Sequence, residues 1–211
     1  MKETPLLFKP EMVRALLEGR KSQTRRTVKP RKDRDFGCVL SPSELVGEVN
    51  AGYHRNCPYG QPGDRIWCKE TFWARGRWET RFSAKKGRDE WHFVDLSREM
   101  SGYRYEEPNV LPGKKRSRAY SFWWKRPSLF MPRHASRILL EITAVRVERL
   151  QDISEEDARA EGVLISDEWT GCADDLDGSY IKAYRFLWET INGAGSWDVN
   201  PYVWGISFRR I

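Results

Sequence analysis

The sequence predicts an α+β fold, a small mixed or antiparallel β-barrel with helices packed at its side. Three observations lead there. Strand-like segments lie at both ends and in the middle of the chain, helical segments are few and short, and the βαβ rhythm of a doubly wound sheet is missing. A chain of 211 residues with 39% apolar content suits one globular core. With no internal repeat and no low-complexity linker, the expectation is a single domain over 1–211 that carries a long insertion at about 74–130.

Pro5-Leu6-Leu7-Phe8 is short, apolar and bounded by Pro10, which reads as a strand. Met12, Val13, Leu16 and Leu17 then form one helical stripe, with Pro10 where a first-turn proline is tolerated and Gly19 placed to stop the helix. The segment from Gly19 to Pro30 is densely cationic without an apolar period, a surface loop or an irregular approach to a strand. From Lys29 to Gly63 the chain is polar and rich in Gly, Pro and Asn, and no regular element is assigned. Pro62-Gly63-Asp64 turns into an aromatic-rich strand from Arg65 to Trp73. Aromatic and basic residues interleave from Ala74 to Arg133, with a hairpin around Trp91-His92-Phe93-Val94. Between Ser136 and Leu150 the alternation of Ile138, Leu140 and Ile142 slips phase near Thr143-Ala144 before Val145 and Val147, which predicts a long strand with a bulge or bend. Ser154 with Asp157 has the Ser-x-x-acid form of a capping box, so a short helix runs through Ala158 to Glu161 and stops at Gly162. Tyr184, Leu187, Trp188 and Ile191 stripe a second helix over Tyr180 to Ile191, and Tyr202 to Phe208 alternates as the closing strand.

Charged residues make up 32% of the chain, and no apolar run approaches the roughly 18 residues of a membrane helix, so a spanning protein is excluded. The N-terminus lacks the order of a signal peptide. Cys38, Cys57, Cys68 and Cys172 form no CxxC pair, and a reducing cytoplasm is expected. Cys38, His54 and Cys57 are the one hint of a metal, but a tetrahedral site needs a second close pair, so neither metal nor cofactor is expected. His54, His92 and His134 show no telling spacing for a nuclease. The net charge of +7 favours polyanionic partners such as nucleic acid. Nothing in the sequence speaks to oligomeric state.

Lys21 and Thr24 are three apart in a glycine-started loop flanked by Arg20, Arg25 and Arg26. If a curl brings them together, a deprotonated lysine can act as base for the threonine hydroxyl, provided burial or neighbouring guanidiniums lower its pKa. On spacing alone the same residues make a solvated cationic loop or a phosphate-binding patch.

Several motifs in order add to this reading: Gly19-x-Lys21-x-x-Thr24-x-Arg26, Pro62-Gly63-Asp64-Arg65 opening a strand, Pro132-Arg133-x-Ala135-Ser136-Arg137, Ser154-Glu155-Glu156-Asp157-Ala158-x-x-Glu161-Gly162, and Trp197-x-x-Asn200-Pro201. Together they resemble the ASCH family of PUA-like barrels, especially its longer phage and prophage members, over residues 5–30, 60–73 and 131–211. The resemblance implies a PUA-like barrel that binds a cytosine-type nucleoside or modified base. Some compact members are amidohydrolases that remove the acyl group from N4-acetylcytidine, using a Lys, a Thr and a Glu. The positions that match here are Lys21, Thr24 and Glu161, with Arg20, Arg26 and Trp67 as substrate-binding candidates. Other members are reported or proposed to bind or cleave RNA, so a non-catalytic reader of RNA or DNA, or a ribonuclease, stands as the alternative.

The insertion lies outside the common motif and has two readings. Its Trp and Tyr can stack on exposed bases while Lys114, Lys115, Arg116 and Arg118 meet the phosphates of single-stranded RNA or DNA. Equally, the aromatics are core and rim packing and the cations a solvated face.

Overall fold

The computed structural model describes residues 1–100, 102–109, 116, 118–165 and 178–211. These form a mixed α+β structure in two compact units, residues 1–68 together with 138–211, and residues 69–137.

The first unit is built on a five-stranded sheet in the spatial order β1 (Glu3–Leu7), β5 (Arg65–Lys69), β9 (Leu139–Arg149), β10 (Tyr202–Arg210) and β2 (Gln23–Thr27). β9 and β10 pair antiparallel. Ser207 lies opposite Ala144 and Phe208 opposite Ile142, so Thr143 is the extra residue of the bulge that the phase slip predicts. Alternation then gives the sheet two apolar faces. Val145 and Val147 lie beside Ile206 and Trp204, and bury with Leu6 and with Met12, Val13 and Leu16 of helix α1 (Pro10–Leu17). On the other face Val203 packs with Ala158 of α4 (Glu155–Ala160) and with Ala183, Tyr184 and Trp188 of α5 (Tyr180–Asn192). Ile191 does not join that stripe. It is exposed, and Ala183 takes the inner place because the small side chain lets the helix approach.

The expected barrel does not close among the described residues. No ladder joins the edge strands β1 and β2. The chain between them passes through α1, whose buried stripe covers that side of the core with side chains rather than with a fifth set of backbone bonds. The polar stretch after Lys29 is also more regular than expected. It holds a short ladder of β3 (Arg31–Lys32) with β4 (Val39–Leu40), then helix α2 (Pro42–Asn50). That helix starts with a full capping box, the Ser41 hydroxyl taking the Glu44 N–H and the Glu44 carboxylate taking the Ser41 N–H.

The second unit is a three-stranded antiparallel sheet, β7 (Arg88–Asp95), β6 (Phe72–Ser83) and β8 (Phe122–Arg126) in that order, with a short helix α3 (Ser97–Met100). The predicted hairpin is β6–β7, with Thr80 opposite Trp91 and Trp78 opposite Phe93. Gly76 is required where Phe93 crosses the sheet, since a Cβ there would run into the Phe93 ring at 2.5 Å and into the Val94 carbonyl oxygen. Phe72, Ala74, Met131 and Ala135 form this unit's buried cluster. Among the described residues no helix is long and apolar enough to cross a membrane.

Candidate functional site

The cationic loop read as surface is an inner part of the first unit. Lys21 is 5% exposed, Thr24 3% and Arg25 2%. The chain turns at Gly19, with φ +74°, and the backbone N–H groups of Arg20 and Lys21 both donate to the Ala15 carbonyl. Ser22 then donates to Ala160 at 2.8 Å, which fastens the loop to the end of α4. From there Lys21 reaches Glu161. Its Nζ donates to Glu161 Oε2 and to the Glu161 backbone oxygen, each at 2.7 Å. Gly162, with φ +84°, makes the approach possible, because a Cβ on it would lie 2.9 Å from the Cβ atoms of Lys21 and Ala15.

Charge is buried here because distant carboxylates converge on it. The Arg25 guanidinium donates to Glu148 Oε1 at 2.9 Å, to Asp157 Oδ2 at 2.8 Å and to Glu161 Oε1 at 3.3 Å. Arg146 donates to Glu148 Oε2 at 2.7 Å and to the Gln23 side-chain oxygen at 3.0 Å, and pairs closely with Asp157. Gly205, between Arg25 and Arg146 in the ladder, leaves these side chains room, since a Cβ would come within 3.0 Å of Arg146. Desolvation lowers the Lys21 pKa from its ordinary value. Glu161 works against that shift, and the charges of Arg26 and Arg25 add to it. For Asp157 burial pushes the carboxyl up, but the Gln23 hydrogen bond and the charges of Arg146 and Arg25 outweigh it and hold the group below its ordinary value.

Of the sequence candidates, Lys21 and Glu161 are brought together, and Arg20 joins them by donating to the Gly162 carbonyl oxygen at 2.8 Å. Thr24 is not hydrogen-bonded to either. It pairs with Ile206, so alternation turns it with Ile206 and Val145 to the face opposite Gln23 and Arg25, and among the described residues its hydroxyl makes no hydrogen bond. Arg26 shares that face, donates to the Leu7 carbonyl oxygen at 2.7 Å and lies 5.6 Å from the Phe8 ring centre. Trp67 is on β5, separated from β2 by β9 and β10, which is roughly 14 Å at ordinary strand spacing. It is not part of this cluster. Lys114 and Lys115 lie outside the described residues, while Arg116 and Arg118 belong to the second unit.

Gln23, Arg146, Glu148 and Asp157 are functional-looking residues that sequence reasoning did not select. One signal was present: Arg146 and Glu148 alternate with Val145 and Val147 in a strand flanked by apolar residues, a charged pair facing inward from a central strand. Among the described residues no group of three or more His, Cys, Asp or Glu side chains is placed to hold a metal ion. Burial pushes the Cys57 thiol up, away from the thiolate that a metal takes.

Comparison with known proteins leaves this geometry to speak for itself: no family model, no curated protein and no solved structure matches the chain.

Proposed function

We propose that the first unit is a PUA-like domain that acts as a metal-independent amidohydrolase, removing the acyl group from an N4-acylated cytosine base or nucleoside. One observation carries the reading: a buried lysine with a lowered pKa is held 2.7 Å from a buried glutamate that lies 140 positions away in sequence. Burial makes the Lys21 ammonium give up its proton more readily than an exposed lysine does; in the neutral form the amine can take a proton from a hydroxyl, and Glu161 fixes its position.

In the reaction, Thr24 Oγ attacks the acyl carbonyl carbon while its proton passes to Lys21 Nζ. The C–N4 bond then breaks and Lys21 returns the proton to the departing cytosine amine. Water hydrolyses the resulting Thr24 ester by the same base, releasing the carboxylic acid. The step requires Lys21 to leave Glu161 and meet the Thr24 hydroxyl, which in the free chain lies on the face of Ile206, opposite Arg25. Arg20, beside Lys21 and Glu161, and Arg26, on the face of Thr24, are the candidate contacts for the base or sugar.

The position of Thr24 favours a second reading, a binding module for the same base without turnover. An assay separates them: N4-acylated cytidines are incubated with the protein and free cytidine is followed by chromatography. Cytidine release by wild type and its loss in Lys21→Ala support hydrolysis. Retention of the acylcytidine in equilibrium dialysis without release supports the reader, and neither binding nor release overturns both.

A further inference from the structure

The strongest feature outside that site is on the second unit. Alternation in its sheet gathers Trp78, Thr80 and Phe82 of β6, Trp91 and Phe93 of β7 and Phe122, Trp124 and Arg126 of β8 on one face. Much of it is open to solvent: Trp91 is 40% exposed and Phe82 69%. Arginines lie against these rings. Arg116 stands 4.7 Å from the Trp78 centre, Arg126 5.4 Å from Trp78 and 4.4 Å from Phe93, and Arg118 5.9 Å from Trp91 while also donating to the Thr80 hydroxyl. None of Arg116, Arg118 and Arg126 has a carboxylate within ion-pair distance among the described residues. Of the nearby acids, Asp95 is engaged by the Tyr103 hydroxyl and the Ser97 N–H and Glu90 by Lys86, while among the described residues Asp89, opposite Phe82, lines the same edge of the face without pairing with any of the three arginines. A cleft of about 380 Å³ opens beside Trp91 and Arg116.

Charge singles out the same unit. Residues 69–137 carry seventeen Lys and Arg against eight Asp and Glu, a net of +9, whereas the rest of the chain carries twenty against twenty-two. The positive excess of the protein therefore belongs to the unit that displays the aromatic face.

We infer that this face binds single-stranded nucleic acid, its exposed rings stacking on unpaired bases and its unpaired arginines meeting phosphates. A guanidinium held against a ring keeps its charge, and those of its N–H groups that no protein group accepts can donate to phosphate oxygens. Aromatic rings between such cations are a sequence-tolerant platform, because every base has a π face. An acidic protein segment would match the charge but leave the rings without stacking partners. The inference does not rest on the hydrolase reading, which concerns other residues.

The test is anisotropy of labelled homopolymers about 20 nucleotides long, thymidine DNA and uridine RNA, with the full chain at several salt concentrations. Expected is tight binding at low salt that weakens steeply as salt rises. Arg116→Ala with Arg118→Ala should flatten the log-log salt slope by about 1.4, at roughly 0.7 for each phosphate lost. Trp91→Leu, which keeps apolar bulk but loses the stacking plane, should weaken binding roughly 5- to 100-fold with the slope unchanged. Arg81→Ala with Lys85→Ala removes the same charge elsewhere, Arg81 lying on the opposite face of β6 by alternation, and should change affinity little. No binding at low salt overturns the proposal. So does equal binding of poly-glutamate, an unaffected Trp91→Leu, or an equal loss in the Arg81 and Lys85 variant. A preference between the two homopolymers identifies which sugar the face accepts.

Discussion

Arginine is used in opposite ways in the two units. In the first, Arg25 is fully withdrawn from water and satisfied by Glu148, Asp157 and Glu161, with Arg146 sharing Glu148 and Asp157. In the second, Arg116 and Arg126 lie on Trp78 and Phe93 with no carboxylate in reach among the described residues. A carboxylate cancels the charge it pairs with; a ring supports the guanidinium but leaves its charge outstanding. The first arrangement fixes positions inside a core, and Lys21 is one of the positions it fixes. The second keeps cations ready for an outside anion. Removal of a cation should therefore damage the first unit from within and the second only in what it binds.

The largest expected effect lies at the buried pair. Lys21→Ala should reduce release of cytidine by about 10² to 10⁴-fold, the usual weight of a general base, with acylcytidine binding largely kept. Thr24→Ala should do the same if its hydroxyl is the nucleophile, and turnover retained in that variant would assign the attack to water. Next in size, Glu161→Ala leaves the Lys21 charge buried without its carboxylate, and denaturant unfolding should show a loss of about 3–5 kcal/mol. Lys21→Met with Glu161→Leu removes both charges and should restore most of that stability, since Arg25 keeps Glu148 and Asp157, while turnover stays lost. Recovery of stability without activity would separate a catalytic pair from a structural one.

A smaller loss should follow Gly162→Ala. The residue sits at φ +84° and its new Cβ would press on Lys21 and Ala15 at 2.9 Å, so about 1–3 kcal/mol is at stake. The hydrolytic pH profile should shift with it. If Lys21 is the base, its amine acts only when neutral, so wild-type activity should rise with pH up to a pKa below the ordinary lysine value of 10.5. Displacing Lys21 into water would move that limb upward. Stability follows a separate rule. A folded lysine with a depressed pKa binds fewer protons than the unfolded chain between the two values, so its penalty relaxes as pH rises across that window. Asp157 has the opposite sense. Its stabilisation is present above its ordinary pKa of 3.8 and is lost as pH falls through its lower folded value.

These effects also explain what the sequence could and could not tell. Local signals read well: the Thr143 bulge followed from a phase slip, and the α4 start from Ser154 and Asp157. Helix α2 carried an equally clear Ser41-Pro42-Ser43-Glu44 capping signature, which the surrounding glycines, prolines and asparagines obscured. Burial of the cationic loop was not legible locally, because the carboxylates that neutralise Arg25 come from positions more than 120 residues away. Spacing alone offered Lys21 and Thr24 as one pair, whereas the ladder with β10 sends Thr24 to the face of Ile206. Period-two alternation from Gln23 would have separated Thr24 from Arg25, had the segment been read as a strand.

The smallest stability effect belongs to the second unit and completes the contrast. Arg116 and Arg118 are exposed or ring-supported and hold no buried carboxylate in place, so Arg116→Ala with Arg118→Ala should change unfolding free energy by no more than about 0.5 kcal/mol per site. The loss of cation–π support works against the fold, while relief of repulsion within a strongly positive unit works for it. The two terms are of similar size and opposite sign. Urea unfolding of the double variant should therefore overlay on wild type, and only the salt dependence of oligonucleotide binding should distinguish them. A large destabilisation would mean that these arginines hold the sheet together, as Arg25 does in the first unit, and the contrast between paired and available cations would fail.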